Sequence, residues 1–161
     1  ALVHRAVLRL AADRVSGSLR TRVNGSLGAF AHAAVRNPHC STVESLADHL
    51  GVHRQTLATW CRSQRFLHPE EVLIWSPLLL VTAMLEGTDR SVNALAMELY
   101  FPSVVALRNQ LKRYTGMTAL EVRANGLDPV LRLFDREVTQ ARERSPRVVP
   151  PPRPSDGRKK P

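Results

Sequence analysis

Two polar side chains that can recognise bases lie side by side in the stretch LYFPSVVALRNQLKRYTG, residues 99–116. At about 100° per residue, Leu107, Leu111 and Tyr114 would share the helix face toward a core. The opposite side carries a stripe of four residues: Val105, Arg108, Asn109 and Lys112. Arginine and asparagine form two-pronged hydrogen bonds with guanine and adenine, respectively. The stripe therefore has two interpretations, a DNA-reading face or an ordinary solvated face.

An earlier part of the chain repeats this pattern, which favours the first interpretation. The segment TVESLADHLGVHRQTLATW aligns with SVNALAMELYFPSVVALRNQL. Each reads cap-Val-x-x-Leu-Ala-x-x-Leu, then a turn, then a helix centred on Leu57 or Leu107. In the first copy, Ser41 or Thr42 is the N-cap candidate, with a capping box expected from Ser41 to Glu44. The repeat predicts two helix-turn-helix units.

A long apolar helix is predicted between the two units, over PEEVLIWSPLLLVTAMLE, residues 69–86. Pro69 fits the first helical position, and Pro77 is expected to kink the helix. Helical periodicity or end signals also predict helices over 2–20, 27–36 and 127–143, and over the segment ALEVRANG. The predicted fold class is therefore all-α.

The charge balance points to a polyanionic partner. The formal net charge is +9 and the pI is about 10.9, which favours nucleic acid or a membrane surface. Residues 41–125, however, carry eight basic and eight acidic side chains. DNA binding by this neutral part would require basic residues to be segregated onto one face.

Other functions find little support in the sequence. Two cysteines make no disulfide framework and favour a reducing cytosol. No apolar run is long enough to cross a bilayer. His39, Cys40 and His53 lack metal-ligand spacing, and neither a phosphate-binding loop nor a nucleophile elbow is present. We therefore expect neither an enzyme nor a metal or cofactor site.

These motifs resemble the DNA-binding domain of the AraC/XylS-type transcription regulators of bacteria. The resemblance covers SLADHLGVHRQTLATW and LAMELYFPSVVALRNQLKRYTGMT, and Arg123 closes the motif. It implies a homeodomain-like fold, with two helix-turn-helix subdomains joined by a long linker helix. One departure is Tyr100, which stands where the family has glycine. A left-handed tyrosine would be strained, so we expect this turn to differ.

The resemblance also implies which residues meet DNA, because the second helix of each unit would enter a major groove, about one DNA turn from the other. Gln55, Ala58 and Thr59 would approach bases in one groove and Val105, Arg108 and Asn109 in the next. Arg54 and Arg65 would meet phosphate. The full set of candidate DNA-binding residues is Arg54, Gln55, Ala58, Thr59, Arg62, Arg65, Ser103, Val105, Arg108, Asn109, Lys112 and Arg113.

We predict four segments along the chain. Residues 1–25 form an amphipathic helix that is a dimer seam, the end of a sensor or dimerisation domain, or a helix packed on the domain. Residues 26–126 form the double helix-turn-helix domain, 127–144 a C-terminal helix, and 145–161 a disordered, basic, Pro-rich tail.

The function expected from these segments is that of a cytoplasmic, sequence-specific transcription regulator. Its expected partners are double-stranded DNA, RNA polymerase and, through the N-terminal region, a second copy of the chain. The alternative is a protein-interaction module that keeps the fold but no longer reads bases. Two features favour this alternative. The repeat carries no net charge, and Ala58 and Val105 have no hydrogen-bonding group at positions that would face bases.

Overall fold

The computed structural model describes residues 2–145, and every regular element among them is an α-helix. This confirms the predicted all-α fold. The predicted tail lies outside the described residues, apart from Ser145. The helices are α1 (Leu2–Arg20), α2 (Gly25–Arg36), α3 (Val43–Leu50), α4 (Arg54–Ser63), α5 (Pro69–Gly87), α6 (Val92–Glu98), α7 (Val104–Thr115), α8 (Ala119–Asn125) and α9 (Leu127–Arg144).

The two helix-turn-helix units, α3–α4 and α6–α7, turn in the same way. Gly51 has φ +67° and Tyr100 has φ +60°, so both are left-handed. After each, one backbone N–H reaches back to the preceding helix: Val52 donates to Ala47 at 3.0 Å, and Phe101 donates to Ala96 at 2.9 Å. The expectation that the second turn would differ is therefore wrong. Its tyrosine adopts the left-handed conformation despite the cost of its Cβ.

Side-chain caps start the helices of both units. Ser91 and Ser103 accept hydrogen bonds from Ala94 and Ala106, at 3.1 and 3.0 Å. In α3, Thr42 is the cap, and it exchanges hydrogen bonds with Ser45 at 3.1 and 3.2 Å. The expected Ser41–Glu44 capping box is therefore wrong by one residue. Thr42 has the extended backbone that an N-cap requires, so its hydroxyl faces the free N–H of Ser45.

The spacer helix α5 runs through the centre of the molecule, and α1, α2, α8 and α9 pack along it. Twelve of its residues are buried, including Trp75, Leu79 and Leu80. Pro77 does not end the helix, although its ring removes one backbone donor. In the same turn the hydroxyl of Ser76 is buried, and it is satisfied by donating to the Val72 carbonyl at 2.7 Å.

A chain of aromatic rings connects the two units through α5 and α9. The Phe66 ring, just after α4, lies 6.1 Å from Phe134 of α9. Phe134 lies 5.6 Å from Trp75 of α5, and Trp75 lies 5.8 Å from Tyr114 near the end of α7. All three pairs meet edge to face, which favours ring contact beyond simple area burial. The relative placement of the units thus depends on packed side chains as well as on α5.

The far end of α5 leaves no room for a side chain at Gly126. Glu86 accepts from the Arg14 guanidinium at 2.6 Å and from the Leu127 N–H at 3.1 Å. These bonds hold the pKa of Glu86 below its usual value and fix its carboxylate. A Cβ on Gly126 would lie 2.7 Å from Glu86 Oε1, and Gly126 has φ +77°. Gly126→Ala should therefore lower the free energy of unfolding by about 1–2 kcal/mol, measured by urea denaturation.

Gly17→Ala is the matched control for this substitution. Gly17 lies inside α1, and nothing would lie within 4 Å of an added Cβ there. Alanine has the higher helix propensity, so the control should stabilise the protein by up to about 1 kcal/mol. Equal effects of the two substitutions would contradict the close approach of the Glu86 carboxylate to Gly126.

Candidate nucleic-acid interface

Helix α4 has a buried face and a solvent-facing stripe. Leu57 and Cys61 are buried, whereas Gln55, Thr59 and Arg62 are exposed and Ala58 is half-buried. The Thr59 hydroxyl donates to the Gln55 carbonyl at 2.9 Å, which satisfies its polar atom locally. The Thr59 methyl group is then available for an apolar contact of the kind made with thymine.

Cys61 is a packing residue in this helix. Burial, together with the charges of Glu70 and Glu71, raises the pKa of its thiol to about 12. The thiol therefore stays protonated at neutral pH, and it lacks the thiolate character that nucleophilic or metal-binding cysteines require.

Helix α7 repeats the arrangement of α4. Leu107, Leu111 and Thr115 are buried. Exposed positions in and just before α7 include Ser103, Val105, Arg108, Asn109, Lys112 and Arg113. Val105, with 58% of its surface exposed, offers an apolar contact at the position where α4 has Gln55. Arg108 and Asn109 occupy the places of Ala58 and Thr59, so at these two places α7 carries larger hydrogen-bonding side chains than α4 does.

Some of the basic side chains near these helices are engaged within the protein. Arg54 pairs with Glu44 of α3 at 2.6 Å, and the Lys112 ammonium donates to the Gly116 carbonyl at 2.8 Å. The Arg113 guanidinium lies 5.7 Å from the centre of the Tyr114 ring. Both ions of the Arg54–Glu44 pair are more than half exposed, so this surface pair has little net strength and Arg54 can exchange partners.

Arg62 and Arg108 retain their positive charge on the surface. Within residues 2–145, neither pairs with a carboxylate. Both side chains are exposed. Guanidinium groups in this state can donate hydrogen bonds to a phosphate or to a guanine edge without first breaking an internal ion pair.

Arg65 differs from the other candidates because its side chain is directed toward α9. It follows α4 in a left-handed conformation, with φ +50°. Its guanidinium donates to the carbonyl oxygens of Arg142 and Ser145, the latter at 3.2 Å. The sequence predicts that Arg65 contacts phosphate, whereas its contacts in the structure are with the end of α9.

The end of α9 lies beside α4, a placement that sequence reasoning did not anticipate. A hollow of about 400 Å³ is lined by Ala58 and Arg62 from α4, by Arg144 from the end of α9 and by Ser145, which follows that helix. The basic last turn of α9 is visible in the sequence, but no local pattern shows where that turn would pack. Its position follows from contacts between residues far apart in the chain.

The second unit is fixed in place by Arg123 of α8. Its guanidinium donates to the carbonyl oxygens of Thr88 and Arg90, in the connection between α5 and α6. Arg90 in turn pairs with Glu98 at the end of α6. The residue that closes the sequence motif therefore acts structurally, by tying the second unit to the end of the spacer.

Two other kinds of site are absent from the described part of the chain. Between residues 2 and 145, no three histidine, cysteine or acidic side chains cluster closely enough to hold a metal ion. Over the same residues, no helix is both long and apolar enough to cross a membrane.

Residues 46–125 match the sequence model of a helix-turn-helix domain family, of the AraC type. No curated protein and no solved structure matches the chain at a significant level. The matched segment runs from within α3 to the end of α8, so it includes the spacer and nearly all of both units. The family is one of DNA-binding regulatory domains and is not a family of enzymes. Residues 46–125 are therefore an AraC-type helix-turn-helix domain, which supports a general role in DNA binding and regulation.

Proposed function

We propose that the protein is a sequence-specific transcription regulator whose helices α4 and α7 read two successive major grooves. The observation that carries the proposal is the equivalence of the two units. Each has the same left-handed turn, and each presents an exposed stripe on its second helix. One unbroken helix of 19 residues joins them. Such a helix is about 28 Å long, which is compatible with a separation of about 34 Å between grooves once the width of the units is added.

Within this proposal the two stripes have different roles. Arg108 and Asn109 on α7 supply the hydrogen bonds that distinguish bases, while Gln55 and the Thr59 methyl group do so more weakly on α4. Arg54, Arg62, Lys112 and Arg113 meet the backbone, and Ser103 lies at the start of α7, where free N–H groups favour phosphate. Val105 and Ala58 contribute apolar contacts. We therefore expect specificity to depend mainly on the groove that α7 reads.

The proposal is tested by duplex binding with a salt titration. Bound duplexes are first selected from genomic fragments, and the dissociation constant is then measured by fluorescence anisotropy at several salt concentrations. A regulator that neutralises about six phosphates should give a log–log slope near −5. Absence of binding to any genomic fragment at low salt would reject the proposal. It would favour the alternative of a protein-interaction module, supported by the neutral charge of residues 41–125.

The partners and location form a separate part of the proposal. Leu2, Val3 and Leu10 are exposed on the first half of α1, by 85%, 73% and 69%, although the second half of that helix is packed. We propose that this exposed half forms a dimer seam, which sedimentation equilibrium of the wild type and of Leu10→Glu would test. Contact with RNA polymerase and a cytoplasmic location complete the proposed role.

A further inference from the structure

Helix α9 lies outside the segment that matches the family, yet it spans the distance between the two ends of α5. It begins where the Leu127 N–H meets Glu86, near the end of α5. It ends beside Arg65, just before the start of α5. The Phe134 ring, midway along, packs against both Trp75 and Phe66. Helix α9 therefore runs antiparallel to the spacer and reaches the first reading unit.

Arg65 fixes the last turn of α9 against the end of α4. Carbonyl groups at the C-terminal end of a helix lack partners and carry partial negative charge. The Arg65 guanidinium donates to two of these, on Arg142 and Ser145. Because Arg65 connects directly to α4, this contact sets the distance between α4 and the side chains of the last turn of α9.

The hollow between α4 and α9 brings two arginines to one opening. Arg62 lies on its α4 side and Arg144 on its α9 side, and both are exposed. In the described residues, neither forms an ion pair with a carboxylate. Glu71 also lines the hollow, but its carboxylate accepts the His68 N–H at 2.9 Å as a cap of α5. Two guanidinium groups across a hollow of about 400 Å³ suit a backbone phosphate.

We propose that the last turn of α9 is a third DNA-contacting element, which rests on the DNA binding proposed above. Arg144 and Arg62 hold one backbone phosphate beside the groove that α4 reads, and Arg65 is the positioning residue for Arg144. The hollow lies beside the outward stripe of α4, so the contact is with the backbone and carries no sequence preference. This contact adds affinity on the side of the weaker reading helix.

Arg144→Ala is the direct test, carried out on the full chain with a selected duplex and a scrambled duplex. Removing one phosphate contact should weaken binding to both duplexes by the same factor and shift the salt slope by about one. Arg132→Ala is the charge-matched control, because Arg132 is exposed on the same helix. It lies 12 residues earlier, about 18 Å along the helix. The control should leave the slope unchanged.

A double-mutant cycle tests the role of Arg65. Arg65→Ala should shift the salt slope as Arg144→Ala does, and the double variant should shift it no further. Additive shifts would show that Arg65 acts independently and would overturn the positioning role. Circular dichroism of each variant should show the helix content of the wild type, which excludes unfolding as the cause of a shift.

The outcomes separate this inference from the proposed function. If the wild type binds duplexes but Arg144→Ala behaves as Arg132→Ala does, the proposed third contact is wrong. The proposal that α4 and α7 read the DNA would still stand. Tighter binding by Arg144→Ala would also overturn the third contact, because α9 would then obstruct the DNA. If the wild type binds no duplex, the proposed function and the third contact fail together.

Discussion

Replacing Arg108 with alanine is expected to weaken binding to the preferred duplex by about 1–3 kcal/mol and to relax the preference at one base pair. Arg108 is exposed on α7 and has no carboxylate partner within residues 2–145. Its guanidinium can therefore donate two hydrogen bonds to a guanine edge, and alanine removes both. The measurement is anisotropy with the selected duplex and with duplexes altered at single positions.

Arg108→Lys separates base reading from charge. Lysine keeps the positive charge but lacks the planar fork of donors. The lysine variant should lose base preference at the same position while its salt slope stays that of the wild type. If Arg108→Ala instead weakens all duplexes equally, Arg108 is a phosphate contact and α7 reads bases through other residues.

Replacing Trp75 with alanine is expected to lower the free energy of unfolding by about 3–5 kcal/mol. Trp75 is 2% exposed, and its ring contacts both Phe134 and Tyr114. Its removal leaves a cavity where α5, α7 and α9 meet. A loss of this size is a large fraction of the stability of a domain. Urea denaturation followed by circular dichroism provides the measurement.

Trp75→Phe is the control for this prediction, because it keeps an aromatic ring in the same place. It should cost much less than the alanine variant, since most of the ring contacts survive. A cost below about 1 kcal/mol for Trp75→Ala would place Trp75 at a site that tolerates truncation. That result would contradict the packed junction between the two units.

Local patterns were sufficient to predict the helices and the repeat. Leu57 and Leu107 lie at matching points of two apolar periods, and both are fully buried. Caps were harder to place, because Ser41 and Thr42 are both suitable residue types and only the backbone geometry selects Thr42. Tyr100 shows a different limit. The steric cost of a left-handed tyrosine predicts a turn unlike the one that glycine forms in the family. The surrounding backbone hydrogen bonds nevertheless keep Tyr100 left-handed.

The packing of α9 could not be predicted from the sequence. The contact between Trp75 and Phe134 joins residues 59 positions apart, and no periodicity relates them. The same limit applies to Arg65. Its position after a reading helix suggested a phosphate contact, whereas its bonds to Arg142 and Ser145 depend on where α9 ends. Which side chains of the stripes meet bases stays a prediction, because it depends on the bound duplex.

A hydroxyl-radical footprint on the selected duplex tests most directly whether α4 and α7 read successive grooves. Two reading helices joined by α5 should protect two patches on one face of the DNA, with centres 10–10.5 base pairs apart. Arg108→Ala should weaken one of the patches more than the other. A single protected patch, or two patches on opposite faces, would contradict the proposed function.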